Sequence, residues 1–288
     1  MGKKQTTSKL FLVTICIVFC LIINASAQEK VEASDASLPE VPILGSQLRT
    51  IASVNTGRTY DIYIRRPSNY QSDKKSTYPV LYLLDGQWDF KLLDSIIGGL
   101  YYDKFVPDII VVGITYSGDN PDYEALRAMD YTQVSVKSLS GSGDAAKFLS
   151  FLKKELFPFM EANYRTDTSR RMLMGSSFGG LFTLYAMLTE PDLFSGYVAA
   201  SPAVSYAKGA IFDQEAAYAE QHQELPVKLY LLVGELEGLN KPVKKFMEII
   251  KERDYKGLEM ETQIVQGEGH ASNKPEGYNR GLRFILQK

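Results

Sequence analysis

The pentapeptide Gly175-Ser176-Ser177-Phe178-Gly179 has the spacing G-x-S-x-G, which suits one kind of chemistry. A serine with glycine two residues before and two after sits on a turn too tight for side chains at those positions. Its hydroxyl is held out at the tip, where it can attack a carbonyl once a base takes its proton. The register separates the twin serines. Ser177 lies midway between Gly175 and Gly179, and Ser176 is the variable residue before it. Without partners, the same pattern is a glycine-rich turn with an N-capping serine.

The chain has two histidines. His222 lies in the polar stretch AEQHQEL, which reads as helix surface. His270 lies in VQGEGHASNKP, after the last strand-like run, where Gly267 and Gly269 let the loop approach another backbone. A histidine base needs a carboxylate that orients its ring and stabilises the imidazolium. VGELEGLN supplies Glu235 and Glu237. The G-x-x-E spacing from Gly234 selects Glu237, with Glu235 as the alternative. The tetrahedral oxyanion needs two amides. Phe178, directly after the nucleophile, supplies one. Gln87, following the turn-forming Gly86 of LLDGQW, supplies the other. Trp88, the only tryptophan, either lines the acyl or leaving-group pocket or packs in the core.

These groups act together only if several turns meet at one edge of a sheet, and the patterning of the chain predicts such a sheet. QLRTIASV and RTYDIYIRRP read as a strand pair across NTG. YPVLYLLDG and DIIVVGITY are nearly continuous apolar runs, as in strands buried on both faces. RRMLMG, SGYVAAS, VKLYLLVG and LEMETQIV continue the strands. DFKLLDSIIGGL, AAKFLSFLKKELFPFMEANY, FGGLFTLYAMLTE, VKKFMEIIKERD and GYNRGLRFILQ alternate with them at helical spacing. The expectation is an α/β fold. A mostly parallel central sheet of about eight strands carries helices on both faces, and the opening hairpin forms an antiparallel edge. Ser117–Asp144 breaks the rhythm and reads as a long polar loop of the functional kind. Within it, SGSGDAAKF reads as a helix cap, with Ser142 not a nucleophile.

The whole sequence sets further bounds. MGKKQTTSK is basic, an apolar run follows, and NASAQ carries a small-x-small cleavage signal. Residues 1–27 therefore read as a secretory signal peptide, 28–44 as a flexible lead-in and 45–288 as one domain. The expected location is secreted or periplasmic, without stable membrane insertion after cleavage. Both cysteines, Cys16 and Cys20, fall in the signal. The remaining chain has no thiolate nucleophile and no disulfide. The signal holds three lysines and no acid, so its removal shifts the net charge from −2 to about −5, which excludes an electrostatic case for nucleic acid. The sequence has no H-E-x-x-H, P-loop or dinucleotide fingerprint; neither metal nor cofactor is expected.

YPVLYLLDGQ, VVGITY, RAMDYT, FLKKELFPFMEANYRTD, LMGSSFGGLF, YVAASPAV and VGELE…GEGHAS stand in an order that resembles the Putative esterase family of the α/β-hydrolase fold. The similarity runs from about Gly45 to the C-terminus and is strongest to the siderophore-esterase branch, related to S-formylglutathione hydrolases and to feruloyl and acetyl xylan esterases. The resemblance implies a serine esterase with Ser177 as nucleophile, His270 as base, Glu237 as acid, and the Gln87 and Phe178 amides as oxyanion donors. It adds Arg127 and Tyr131 of the R-x-x-D-Y-T motif as substrate-binding candidates. Arg127 has a second reading, an internal pair with Asp130. The implied partner is a small-molecule or glycan ester. A siderophore ester comes first, with a carbohydrate acyl esterase or an acyltransferase as alternatives. A non-catalytic binding module on the same fold would lack the need for Ser177 and His270. The family often has histidine before the serine and tryptophans after SP; here those positions hold Ser176 and the run Ala203 to Tyr206.

Overall fold

The structure, a computed structural model, describes residues 42–287. The expected signal peptide and all but the last residues of the expected lead-in lie outside the described residues. In chain order the described elements are β1 (Ser46–Ala52), β2 (Thr59–Arg65), β3 (Tyr78–Leu83), α1 (Gly86–Tyr102), β4 (Ile110–Tyr116), α2 (Tyr123–Tyr131), α3 (Ala145–Phe151), α4 (Phe157–Asn163), β5 (Thr166–Ser176) and α5 (Phe178–Thr189). They continue with β6 (Gly196–Ala200), α6 (Ala210–Gln221), β7 (Lys228–Gly234), α7 (Asn240–Arg253), β8 (Glu259–Val265) and α8 (Lys274–Leu286). Short 3-10 turns fill several of the connections.

The strands form one eight-stranded sheet in the order β1-β2-β4-β3-β5-β6-β7-β8. β1 runs antiparallel to β2, and β2 antiparallel to β4. From β4 onward every pairing is parallel. This is the expected α/β-hydrolase fold, with the hairpin at the antiparallel edge. β3 and β4 are buried along their whole length, as their unbroken apolar runs require. Alternate residues feed two cores, one on each face. Tyr82 belongs to the core that also holds Ile62, Phe148, Phe182 and Phe246 under α3, α5 and α7. Leu81 and Leu83 pack with Phe90, Leu93, Ile97, Tyr278 and Leu282 under α1 and α8. Burying each large apolar side chain contributes about 1.5–3 kcal/mol, so these stripes hold the helices far more firmly than propensity does. No helix among the described residues is long and apolar enough to cross a membrane.

One expectation is corrected and another is refined. Ser117–Asp144 is not a continuous loop, because α2 occupies its centre, capped by the Asp122 carboxylate accepting from the Ala125 amide at 3.1 Å. The inner face of α2 carries Arg127 and Asp130 beside Ala128 and Tyr131. Buried charges on that face erase the apolar period that would have announced a helix. The expected long helix before β5 runs unbroken from Ala145 to Asn163, with a π turn over Leu152–Leu156 between α3 and α4. Pro158 has no N–H to donate one turn back, and the Phe157 amide bonds Leu152 O, five residues away.

Candidate active site

Three residues other than glycine take positive φ at the C-terminal ends of neighbouring strands. They are Asp85 after β3 (φ 58°), Ser177 after β5 (φ 59°) and Ser201 after β6 (φ 42°). Such conformations cost about 1–3 kcal/mol each and persist only where the surroundings impose them. Their gathering at one edge locates the site.

The Ser177 turn is fixed on both sides. Its amide donates to Ala200 O (3.0 Å), and its carbonyl accepts from the amides of Leu181 (2.9 Å) and Ala203 (3.1 Å). α5 begins at the next residue, so Phe178 stands in the first helical turn, where amides lack intrahelical partners. A Cβ on Gly175 would lie 2.5 Å from the Gly179 carbonyl, so the turn excludes any side chain there. On Gly179 it would meet Asp85 Oδ2 at 3.2 Å and Leu84 Cβ at 3.3 Å, a milder conflict. Gly175→Ala is therefore expected to destabilise the fold by about 1–3 kcal/mol or more, and by more than Gly179→Ala. Urea unfolding of the two variants tests this; the reverse ranking would contradict the packing described here.

His270 and Glu237 meet: Nδ1 of His270 lies 2.6 Å from Glu237 Oε2. The other oxygen, Oε1, accepts from Ser201 Oγ (2.5 Å), the Gly234 amide (2.6 Å) and Asn273 Nδ2 (3.1 Å). Burial pushes the Glu237 carboxyl up. Donation from His270, Ser201 and the Gly234 amide outweighs it and holds the group below its ordinary value. Glu235 instead accepts from the Gly267 amide at 2.8 Å, shaping the loop rather than reaching the ring. The loop crosses directly over Gly234, where a Cβ would lie 2.6 Å from the carbonyls of Glu268 and Gly269. His270 remains about half exposed, with side-chain exposure of 45%. Ser177 makes no side-chain capping bond to its helix. No hydrogen bond joins Ser177 Oγ to His270 among the described residues; such contacts commonly tighten with substrate in place. His222 caps the end of α6, its ring stacked on Tyr218.

The turn after β3 carries the residue expected to offer the second amide. Gln87 is the second residue of α1. The left-handed residue of that turn is Asp85 (φ 58°), next to the turn-forming Gly86. Gly86 serves close packing, since a Cβ there would lie 3.0 Å from the Gly113 backbone of β4. Asp85 is buried and takes a bidentate bond from Arg127, Nε to Oδ1 at 2.6 Å and Nη2 to Oδ2 at 3.0 Å. The expected Arg127–Asp130 pair does not form, because Asp130 is claimed by Arg58 and by Tyr60 Oη. The remaining amino group of Arg127 faces Glu124 at 3.3 Å, so the guanidinium supports the turn from behind. Tyr131 is also displaced from the expected substrate contact. It is 1% exposed, its ring lies against Phe148 and Phe182, and its hydroxyl meets the Asp85 amide. Trp88 is no core residue: it is 46% exposed, with the Arg127 guanidinium 4.9 Å from its ring centroid and Tyr123 alongside.

Comparison with known sequences agrees with this architecture. The profile of the Putative esterase family matches residues 53–270. The chain belongs to that family. The ferri-bacillibactin esterase BesA of Bacillus subtilis is 31% identical over 264 residues, spanning 85% of this chain and 90% of that protein. The apo-salmochelin esterase of Escherichia coli is 29% identical over 213 residues, spanning 69% and 65% respectively. The crystal structure of the BES protein from Bacillus cereus superposes with a TM-score of 0.78 at 26% identity, covering 88% of this chain and 98% of that one. This esterase therefore lies in the siderophore-esterase branch of the family and is a carboxylic ester hydrolase.

Ser201, Asn273 and Asp85 escaped the sequence reading. Ser201 and Asn273 are fully buried; Asn273 Nδ2 also donates to Ser201 Oγ (2.8 Å) and Gly269 O (2.8 Å). Nothing local in SPAV or ASNK marks the contacts among Ser201, Glu237 and Asn273, which join residues 36 to 72 positions apart. Asp85 precedes the glycine of a D-G pair, a turn signal that hides its paired carboxylate.

Proposed function

We propose that this esterase is an exported serine hydrolase that cleaves a siderophore ester through an acyl-enzyme. The single observation that carries the reading is the Glu237–His270 pair beside the strained Ser177 turn. In the proposed mechanism, Glu237 accepts the Nδ1 proton of His270 in a hydrogen bond and leaves Nε2 free as the base. Nε2 takes the Ser177 proton as Oγ attacks the ester carbonyl. The Phe178 and Gln87 amides bind the resulting oxyanion. The imidazolium then protonates the departing alcohol, and water, activated by the same ring, releases the acid. No cofactor enters these steps. Export rests on the signal-like N-terminus, and the mature protein then occupies the periplasm or the medium.

The siderophore class is supported by the relatives, two of which are named for siderophore substrates. The test has two arms. A fluorophosphonate probe should label Ser177, located by peptide mapping; absence of labelling at Ser177 sinks the nucleophile assignment. A substrate panel of ferric catecholate trilactone, acetylated xylan and a feruloyl ester should show the highest kcat/KM on the trilactone. A higher value on either carbohydrate ester would reassign the substrate while leaving the chemistry intact.

A further inference from the structure

We propose that Asp89, Lys274 and Tyr278 form a positioning strut that sets the oxyanion turn against the histidine loop. The inference rests on the serine-esterase reading above. Asp89 lies in the first turn of α1 and is 3% exposed. Its amide donates to Asp85 O at 3.1 Å, two residues before Gln87. Its carboxylate accepts from Lys274 Nζ (2.8 and 3.1 Å) and from Tyr278 Oη (2.6 Å). Lys274 and Tyr278 open α8, directly after Asn273, which holds both Glu237 and the Gly269 carbonyl. One buried carboxylate thus ties the helix that presents the Gln87 amide to the loop that carries His270.

Stability does not account for the cluster. A buried ion pair contributes little net stability over apolar residues of the same volume. A lysine in the first turn of a helix also opposes the helix dipole. What the three charge-assisted and hydroxyl bonds add is direction. Apolar packing of α1 on α8 leaves sliding freedom, whereas bonds from two donors onto one carboxylate fix both distance and angle. The fold contains its own control. Glu215, 1% exposed by side chain, accepts from Arg253 (2.9 and 3.0 Å) and Tyr255 Oη (2.8 Å). That cluster likewise sets one buried carboxylate against a cation and a tyrosine hydroxyl, joins α6 to the end of α7, and includes none of the proposed catalytic groups.

The test uses the whole protein and p-nitrophenyl acetate. Asp89→Leu/Lys274→Met is expected to unfold within a few degrees of wild type. Its kcat should fall about 100-fold, the effect of displacing reacting groups by about 1 Å, with KM within about twofold. Tyr278→Phe, which removes one hydroxyl and keeps the ring, should lower kcat about tenfold and serves if the double variant does not fold. Arg253→Met should lose stability and keep kcat. Wild-type kcat in the double variant or in Tyr278→Phe overturns the strut, as does an equal kcat loss in Arg253→Met. Failure of the wild-type protein to label at Ser177 defeats the underlying reading instead, and the strut with it.

Discussion

Ser177→Ala is expected to lower p-nitrophenyl acetate turnover by about 10⁴-fold or more, the range found when a serine nucleophile is deleted. Stability should hardly change. Alanine tolerates the φ of 59° no worse than serine, and the Ser177 hydroxyl makes no bond to its own helix. The paired variant is decisive. Ser176 is 2% exposed and its hydroxyl faces inward, without a partner among the described residues. Ser176→Ala should therefore retain most activity and cost little stability. Steady-state kinetics on both variants, with circular dichroism to confirm folding, makes the comparison. Loss of activity in Ser176→Ala with survival in Ser177→Ala would reverse the register argument.

Glu237→Gln is expected to lower kcat by about 10³–10⁴-fold, for a reason visible in the donor set. Ser201 Oγ, the Gly234 amide and Asn273 Nδ2 all point at Oε1, so the glutamine carbonyl must take that position. Its NH2 then faces His270 Nδ1, at the distance where the carboxylate now accepts. Nδ1 must become the acceptor, the proton moves to Nε2, and the ring loses its capacity to deprotonate Ser177. Retention of wild-type kcat would mean that Ser177 and His270 work as a dyad. The carboxylate also ties stability to pH. Its folded-state value lies below the ordinary 4.5. Its contribution is therefore complete above about pH 4.5 and is lost as pH falls through the lower folded value. Unfolding midpoints measured from pH 7 to pH 3 should fall less in Glu237→Gln than in wild type.

The legible parts of this protein share a physical character. The strand and helix order follows from apolar periods that each segment carries within itself. α2 was hidden because Arg127 and Asp130 occupy its inner face, and their partners Asp85 and Arg58 lie 42 and 72 residues away. Tyr131 read as a substrate contact for the same reason. Its motif could be seen, but not the Phe148 and Phe182 rings that bury it.

By itself, the sequence determined the fold class and the register of the glycine-flanked serine turn. Both rest on local sterics and periodicity: the crowding of Gly175 against Gly179 across four residues selects Ser177 without knowledge of anything distant. The spacing from Gly234 favoured Glu237 but left Glu235 as an alternative, and tertiary structure decided which carboxylate meets His270. The loop after β8 crosses Gly234 so that Glu235 closes the loop and Glu237 faces the ring. It also decided that Arg127 supports Asp85, and that Asp89 and Lys274 meet across 185 residues. Such pairings arise where parallel strands end side by side, and no local pattern encodes which distant donor arrives there.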